Sequence, residues 1–211
     1  MTETLNRIGQ LNNTAQKTTE QVLVATLRTT IEMLKDRGLD FVQACQTIDE
    51  ITQNMSEGRP IVTASSERHE SGHSHTCVYF HNEDRVGVKA LRQWIETSTA
   101  DKIIAVSLEG PTAFTRKEAE QNCPHVQFFL FRDLCVNITR HVLVPKHERI
   151  TEKDIPLELS PTKRELPLLW TSDKVAQYYA YAPGDLVRIT RIVGTQEPVH
   201  YYRLVKHPPA S

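Results

Sequence analysis

The stretch that decides the fold runs from Cys77 to Phe131 and reads CVYFHNEDRVGVKALRQWIETSTADKIIAVSLEGPTAFTRKEAEQNCPHVQFFLF. Cys77–His81 is a short apolar run suited to a strand. Asn82–Asp84 offers a cap for a helix with Val88, Leu91 and Ile95 on one side. Lys102–Ser107 predicts a second strand, Thr112–Gln121 a short helix and Val126–Phe131 a third strand. This alternation points to a parallel or mixed sheet with helices packed on it, an α/β (α+β) class.

Upstream, residues 1–18 are rich in Asn, Gln and Thr with little periodicity and read as a flexible lead-in. Leu23, Leu27, Ile31 and Leu34 then recur along one face of a helix. Lys35, Arg37 and Gly38 supply its C-terminal signal. Phe41, Cys45 and Ile48, with Ile51 beyond, predict a second helical stripe. Ser56–Thr76 is polar and reads as a loop, with Ile61–Ala64 as a short strand candidate within it.

Downstream, Leu134–His141 reads as a further extended run, and Val144-Pro145 opens a different region. Glu152–Leu159 predicts a weak helix interrupted by Pro156, whose missing N–H and ring clash oppose an intact helix. Asp173 caps a short helix over Lys174–Tyr181, and Pro183-Gly184 makes a turn. Leu186–Val193 and Val199–Lys206 flank a Gly194-centred turn and predict a β-hairpin. The expected organisation is a flexible segment over 1–18, an N-terminal domain over 19–140 and a C-terminal domain over 141–211.

The chain has 211 residues, with 25 Lys+Arg against 26 Asp+Glu. A net charge of −1 excludes a histone-like or tail-like nucleic-acid binder. Residues 1–140 hold 15 Lys+Arg and 18 Asp+Glu, whereas residues 141–211 hold 10 and 8, so the C-terminal part is mildly basic. No apolar run approaches the roughly 20 residues of a membrane helix, and Met1–Glu20 lacks the apolar core of a secretory signal. The four cysteines form no C-x-x-C pair and read as free thiols in a reducing compartment. A soluble, intracellular protein is expected.

Catalytic signatures are missing. There is no phosphate loop, no G-x-G-x-x-G, no G-x-S-x-G and no H-E-x-x-H. A helix-flanked sheet can be a nuclease core, yet no Asp or Glu is followed two positions later by Lys, the pair that holds a metal beside a scissile phosphate. His69, His73, His75 and Cys77 are ligand types within nine positions. Their spacing matches no standard zinc module, and a His-rich polar surface loop is the competing reading. His141 and His147 flank Pro145 without a nucleophile at a recognisable distance. Asn137-Ile138-Thr139 fits a glycosylation sequon, but its setting reads as buried strand. No catalytic, metal or cofactor site is expected.

Two segments are more specific. One is Val136-Asn137-Ile138-Thr139-Arg140-His141-Val142-Leu143-Val144-Pro145-Lys146-His147. The other is Asp173-Lys174-Val175-Ala176-Gln177-Tyr178, followed by Pro183-Gly184-Asp185-Leu186-Val187-Arg188-Ile189-Thr190-Arg191 and Tyr202-Arg203-Leu204-Val205. Together they resemble the fifth-ranked shared subunit of eukaryotic nuclear RNA polymerases. That family includes a small archaeal polymerase subunit, which corresponds to the C-terminal region alone. Lys35-Asp36-Arg37-Gly38, Val86-Gly87-Val88-Lys89 and Leu108-Glu109-Gly110-Pro111-Thr112-Ala113 resemble its eukaryote-type N-terminal domain.

The resemblance implies a non-catalytic, nuclear subunit of DNA-directed RNA polymerase that is not a homo-oligomer. Its N-terminal domain would be a jaw element with a nuclease-like core lacking an active site, beside downstream duplex DNA. Its small C-terminal α/β assembly domain would dock on the largest subunit. Pro145, Lys146, His147, Arg188, Arg191, Tyr202 and Arg203 would be the partner-subunit interface. Pro145 stiffens the entry to this domain and holds Val144 extended; alone, Arg188 and Arg191 read equally as the solvated face of a hairpin. Gly110, Pro111 and Thr112 would be DNA-proximal, with backbone N–H groups at a helix start near phosphate; an ordinary turn and cap is the other reading. The alternatives are a free-standing transcription adaptor, a zinc-binding interaction protein using the His loop, or a small nuclease.

The chain departs from the family pattern at the final turn, where an Arg-x-Ser-Glu-Thr type sequence is replaced by Arg191-Ile192-Val193-Gly194-Thr195-Gln196-Glu197-Pro198. The usual Asp-Pro is Asp173-Lys174, the helix after Lys146-His147 is shorter and contains Pro156, and the His-rich loop is particular to this chain. These departures fall on expected partner-facing surfaces and imply a diverged lineage or a paralogue dedicated to one polymerase.

Overall fold

The computed structural model describes residues 7, 18–66, 74–151, 154, 166–192 and 197–209. The flexible lead-in (apart from Arg7 and Thr18), the Pro156-interrupted helix (apart from Asp154), the Gly194 turn, and His69 and His73 lie outside the described residues. The chain divides into two compact units, Met1–Val136 and Asn137–Ser211.

In the first unit α1 (Thr19–Asp36) is opened by a reciprocal capping box between Thr18 and Gln21. β1 (Phe41–Ala44) follows, and α2 (Ile48–Glu57) starts on a second capping box between Thr47 and Glu50. β2 (Val62–Ser66), β3 (Ser74–Phe80), β5 (Lys102–Ser107) and β7 (Val126–Leu130) complete a sheet ordered β1-β2-β3-β5-β7. β1, β2 and β3 pair antiparallel, whereas β3, β5 and β7 pair parallel. The crossovers are α3 (Val88–Thr97) and α4 (Ala113–Asn122), beside a small parallel pair of β4 (Arg85–Val86) and β6 (Gly110–Pro111).

β5 shows why the sheet is mixed. Five consecutive residues, Ile103–Ser107, are buried, as expected for a parallel strand covered on both faces. On one face Tyr79 stacks on Trp94 at 4.9 Å within a cluster that includes Val86, Ile103 and Ala105. On the other, Phe80 meets Phe131 edge-on at 5.4 Å. Buried threonines also contribute: Thr30 donates to the Thr26 carbonyl, so α1 buries a stripe that apolar spacing alone does not mark.

In the second unit β8 (Lys146–Ile150), β9 (Leu168–Trp170), β10 (Leu186–Arg191) and β11 (Val199–Lys206) form a sheet ordered β8-β10-β11-β9. β10 pairs antiparallel with both neighbours, and β9 runs parallel to β11. Asp173 accepts from the Val175 and Ala176 N–H groups and starts α6 (Lys174–Tyr179). Ala176 and Tyr181 pack with Val187, Ile189, Val205 and Leu169 to make the core.

Four expectations are corrected. Phe41–Ala44 is a strand, not a helix; the helix begins only at Ile48, after the Thr47 cap. Asn82–Asp84 caps nothing: α3 starts after Gly87, because Arg85–Val86 is first drawn into β4. Leu134–His141 is not extended. Phe131–Leu134 is one helical turn (α5) and Ile138–Arg140 a 3₁₀ turn, which Asn137 caps by accepting from the Thr139 N–H at 3.0 Å. Asn137 is therefore a buried cap bonded to the Tyr178 hydroxyl, not a strand residue. Within the polar segment 56–76, the strand candidate Ile61–Ala64 is found as β2, and β3 begins at Ser74. No described helix is long and apolar enough to cross a membrane.

Ile104, 1% exposed in the central strand, tests this core directly. Ile104→Ala is expected to destabilise the chain by about 2–5 kcal/mol, and Val24→Ala, at a side chain 48% exposed, by less than about 0.5 kcal/mol. Urea unfolding followed by circular dichroism reads both, and equal shifts would contradict the placement.

Candidate functional site

The register of the C-terminal sheet sorts the expected interface residues onto two faces. Arg188 lies opposite Glu148 on one side and Tyr202 on the other, and Lys146 lies opposite Thr190. Cross-strand partners share a face, so Lys146, Arg188 and Tyr202 belong together. His147 lies opposite Ile189, which lies opposite Tyr201; Arg203 lies opposite Val187, and Arg191 opposite Val199. His147, Arg191 and Arg203 therefore share the other face, the one that also carries the α6 core.

On the first face Glu148 is a hub. It takes Lys146 Nζ at 2.6 Å and Arg188 Nη2 at 3.1 Å. The lysine, then the arginine, hold its carboxyl below the usual carboxylate range. The sequence reading named the two cations and missed the carboxylate between them. Its signal was present as alternating charge in Lys146-His147-Glu148-Arg149.

On the second face the cations have no such partner. Arg191 lies over the Tyr201 ring at 5.5 Å, and Arg203 donates to the Leu168 carbonyl at 3.1 Å. Among the described residues neither makes an ion pair. They border a cleft of about 390 Å³ lined by Leu166, Pro167, Tyr201 and Tyr202 together with both arginines. His147 Nδ1 meets the Pro145 carbonyl at 2.8 Å. Burial pushes the His147 pKa down, aided by Arg203 and Arg191 and opposed by the Pro145 bond and Asp173.

In the first unit Gly110 has φ +82°, and a Cβ there would meet Leu130 Cδ2 at 3.4 Å. The Gly110 N–H donates to Ser107 Oγ at 3.0 Å and the Thr112 N–H to the Val86 carbonyl at 3.1 Å. Thr112 Oγ1 accepts from the Thr115 N–H, and Pro111 has no N–H. The Gly110–Thr112 amides are thus satisfied internally, and the first turn of α4 leaves those of Ala113 and Phe114. Glu109 beside the loop is held by Arg85 and Arg7, each at 2.9 Å, which depress its carboxyl, and Arg7 also reaches Asp84.

The proposed ligand types near 69–77 are only partly described. His75 donates its backbone N–H to Asp101, and Cys77 is buried, which pushes its thiol up. Among the described residues no three His, Cys, Asp or Glu side chains converge as a metal site.

His147 sets a pH dependence. Its folded-state pKa lies below the ordinary 6.5, so the unfolded chain takes up the proton first as pH falls. Its contribution is therefore full above that value and declines below it. Unfolding followed through Trp170 is expected to show the second unit losing stability as the pH falls below 6.5. His147→Gln should flatten that slope, and an unchanged slope would contradict the assignment.

The family profile "RNA polymerase Rpb5, C-terminal domain" matches residues 136–205, the span that holds both faces just described. A Dictyostelium discoideum protein, subunit rpabc1 of DNA-directed RNA polymerases I, II, and III, is 30% identical over 138 residues, 60% of this chain and 70% of that one. An Arabidopsis thaliana protein, subunit 5B of DNA-directed RNA polymerases IV and V, is 26% identical over 179 residues, 77% of this chain and 80% of that one. Subunit Rpo5 of the RNA polymerase of Methanococcus maripaludis is 37% identical over 73 residues, 33% of this chain and 94% of the relative. A profile match over residues 136–205, together with one relative 30% identical over 70% of its length and another 37% identical over 94% of its length, identifies the chain as a member of the Rpb5 family of DNA-directed RNA polymerase subunits.

Proposed function

We propose that this chain is a non-catalytic subunit of a nuclear DNA-directed RNA polymerase. Residues 141–211 dock on the largest subunit, and residues 19–140 form a jaw element beside downstream duplex DNA. The observation that carries the reading is the agreement between the family match and the C-terminal sheet, whose second face presents Arg191, Arg203 and Tyr201 without carboxylate partners among the described residues. The archaeal relative, covered over 94% of its length by about a third of this chain, is a polymerase subunit of about the size of the C-terminal unit, which supports a unit of that size as a self-sufficient module. Pro145, Lys146, His147, Arg188, Arg191, Tyr202 and Arg203 are the proposed partner contacts. Lys146 and Arg188 act there as a pair fixed by Glu148, not as free cations.

Gly110, Pro111 and Thr112 keep a DNA-proximal role of limited strength. The Gly110 and Thr112 N–H groups are already bonded, Pro111 has none, and the neighbouring Arg85 and Arg7 are committed to Glu109 and Asp84 rather than open to phosphate. Counterion release scales with the phosphates that Lys and Arg neutralise, and residues 1–140 are net acidic. DNA contact therefore belongs to the assembled enzyme, where other subunits hold the duplex.

Purification of the tagged chain from its own cells is expected to recover a largest polymerase subunit. One polymerase would mark a dedicated paralogue and several a shared subunit; recovery of no polymerase subunit would contradict the proposal. The isolated chain is expected to bind duplex DNA no more tightly than ordinary non-specific binding, about 10⁻⁴–10⁻⁶ M. A nanomolar, salt-sensitive complex in a fluorescence-anisotropy titration would contradict the limited role of the Gly110 loop.

A further inference from the structure

We propose that the open half of β11 is a docking edge for an extended acidic segment of the partner protein, which adds a strand to the C-terminal sheet. The identity of the partner rests on the polymerase-subunit reading; the mode of binding rests on the geometry below.

β11 has eight residues, but β9 pairs only with Leu204, Val205 and Lys206. The chain entering β9 bends at Leu166. The Leu204 N–H donates outward, to the Pro167 carbonyl at 3.0 Å. Val205 faces the other way: its N–H donates to the Asp185 carbonyl and its carbonyl accepts from the Gly184 N–H, both at 2.9 Å. Backbone groups alternate sides along a strand, so the N–H and C=O of Tyr202 and His200 turn outward like those of Leu204. Among the described residues nothing pairs with them.

Proteins usually guard such edges with charge, proline or short length. The opposite edge of this sheet is guarded in that way. β8 carries Lys146, Glu148 and Arg149, which are tied into ion pairs with one another, Arg188 and Asp185. The open half of β11 carries Val199, 40% exposed, and Tyr201, 49% exposed. The cleft of about 390 Å³ runs beside it, with Leu166 and Pro167 closing one end and Arg191 and Arg203 on its wall.

Two arginines that pair with no carboxylate among the described residues select Asp or Glu in the incoming segment, and the tyrosines and Pro167 select apolar or aromatic neighbours. The unpaired edge selects a peptide over a nucleic acid. It offers carbonyls as well as N–H groups, and a phosphodiester backbone has no N–H to meet them.

The test uses the tagged full chain expressed in its own cells, with recovered polymerase subunits quantified by mass spectrometry. His200→Pro removes the outward N–H while leaving the β10 ladder intact, a substitution that edge strands tolerate. His200→Ala keeps that N–H and removes the ring. Arg191→Glu reverses an exposed charge. We expect His200→Pro and Arg191→Glu to reduce recovery about fivefold or more and His200→Ala to retain it. Thermal melts check folding; if His200→Pro unfolds, Arg191→Glu decides. Wild-type recovery by both variants, or equal loss in His200→Pro and His200→Ala, would overturn the docking edge while leaving the subunit reading intact. Failure of the unaltered chain to recover any polymerase subunit would instead overturn that reading.

Discussion

Cross-strand pairing from Leu186–Leu204 to Arg191–Val199 places Val187 and Ile189 against Ala176 and Tyr181, and Arg188 on the opposite face beside Glu148. A slip of one residue would exchange the two faces and bury Arg188 where Val187 now packs. The same register turns the His200 and Tyr202 backbone outward. Core, ion-pair hub and open edge are therefore three consequences of one pairing. Surface side chains can vary around it, but the pairing itself cannot move without losing the core.

Charge is organised differently in the two units. In the first, carboxylates beside the Gly110 loop and α4 take arginines locally: Arg85 and Arg7 on Glu109, Arg92 on Glu118. Exposed pairs of this kind contribute little stability and leave little net field. In the second, Glu148 gathers Lys146 and Arg188 on one face, while Arg191 and Arg203 across the sheet are held by an aromatic ring and a carbonyl instead of a counter-charge.

Much of this was legible because local signals and tertiary demands agree. The β10–β11 strands, the Asp173 cap, the Thr112 cap and the buried β5 run all follow from residue type and spacing. The misreadings share a cause. Phe41, Cys45 and Ile48 fit a helical period, yet the Thr47–Glu50 capping box shows where the helix begins. Leu134–His141 is apolar enough for a strand, but Asn137 offers its own side chain to the Thr139 amide and bends the chain. The interface was half legible. Family-like segments supplied Arg188, Arg191 and Arg203; Glu148 joins them through the β8–β10 register, and Leu166 and Pro167 emerge only when β9 stops short of Tyr202. A missing neighbour leaves no mark on the residues that lack it.

The central claim is that the C-terminal sheet, through the open edge of β11, is what the partner holds. Hydrogen–deuterium exchange on the chain, free and within its purified complex, tests this most directly. The account predicts fast amide exchange at His200 and Tyr202 in the free chain and strong protection of both in the complex. Protection confined to residues 1–136, with 199–203 exchanging equally fast in both states, would contradict it.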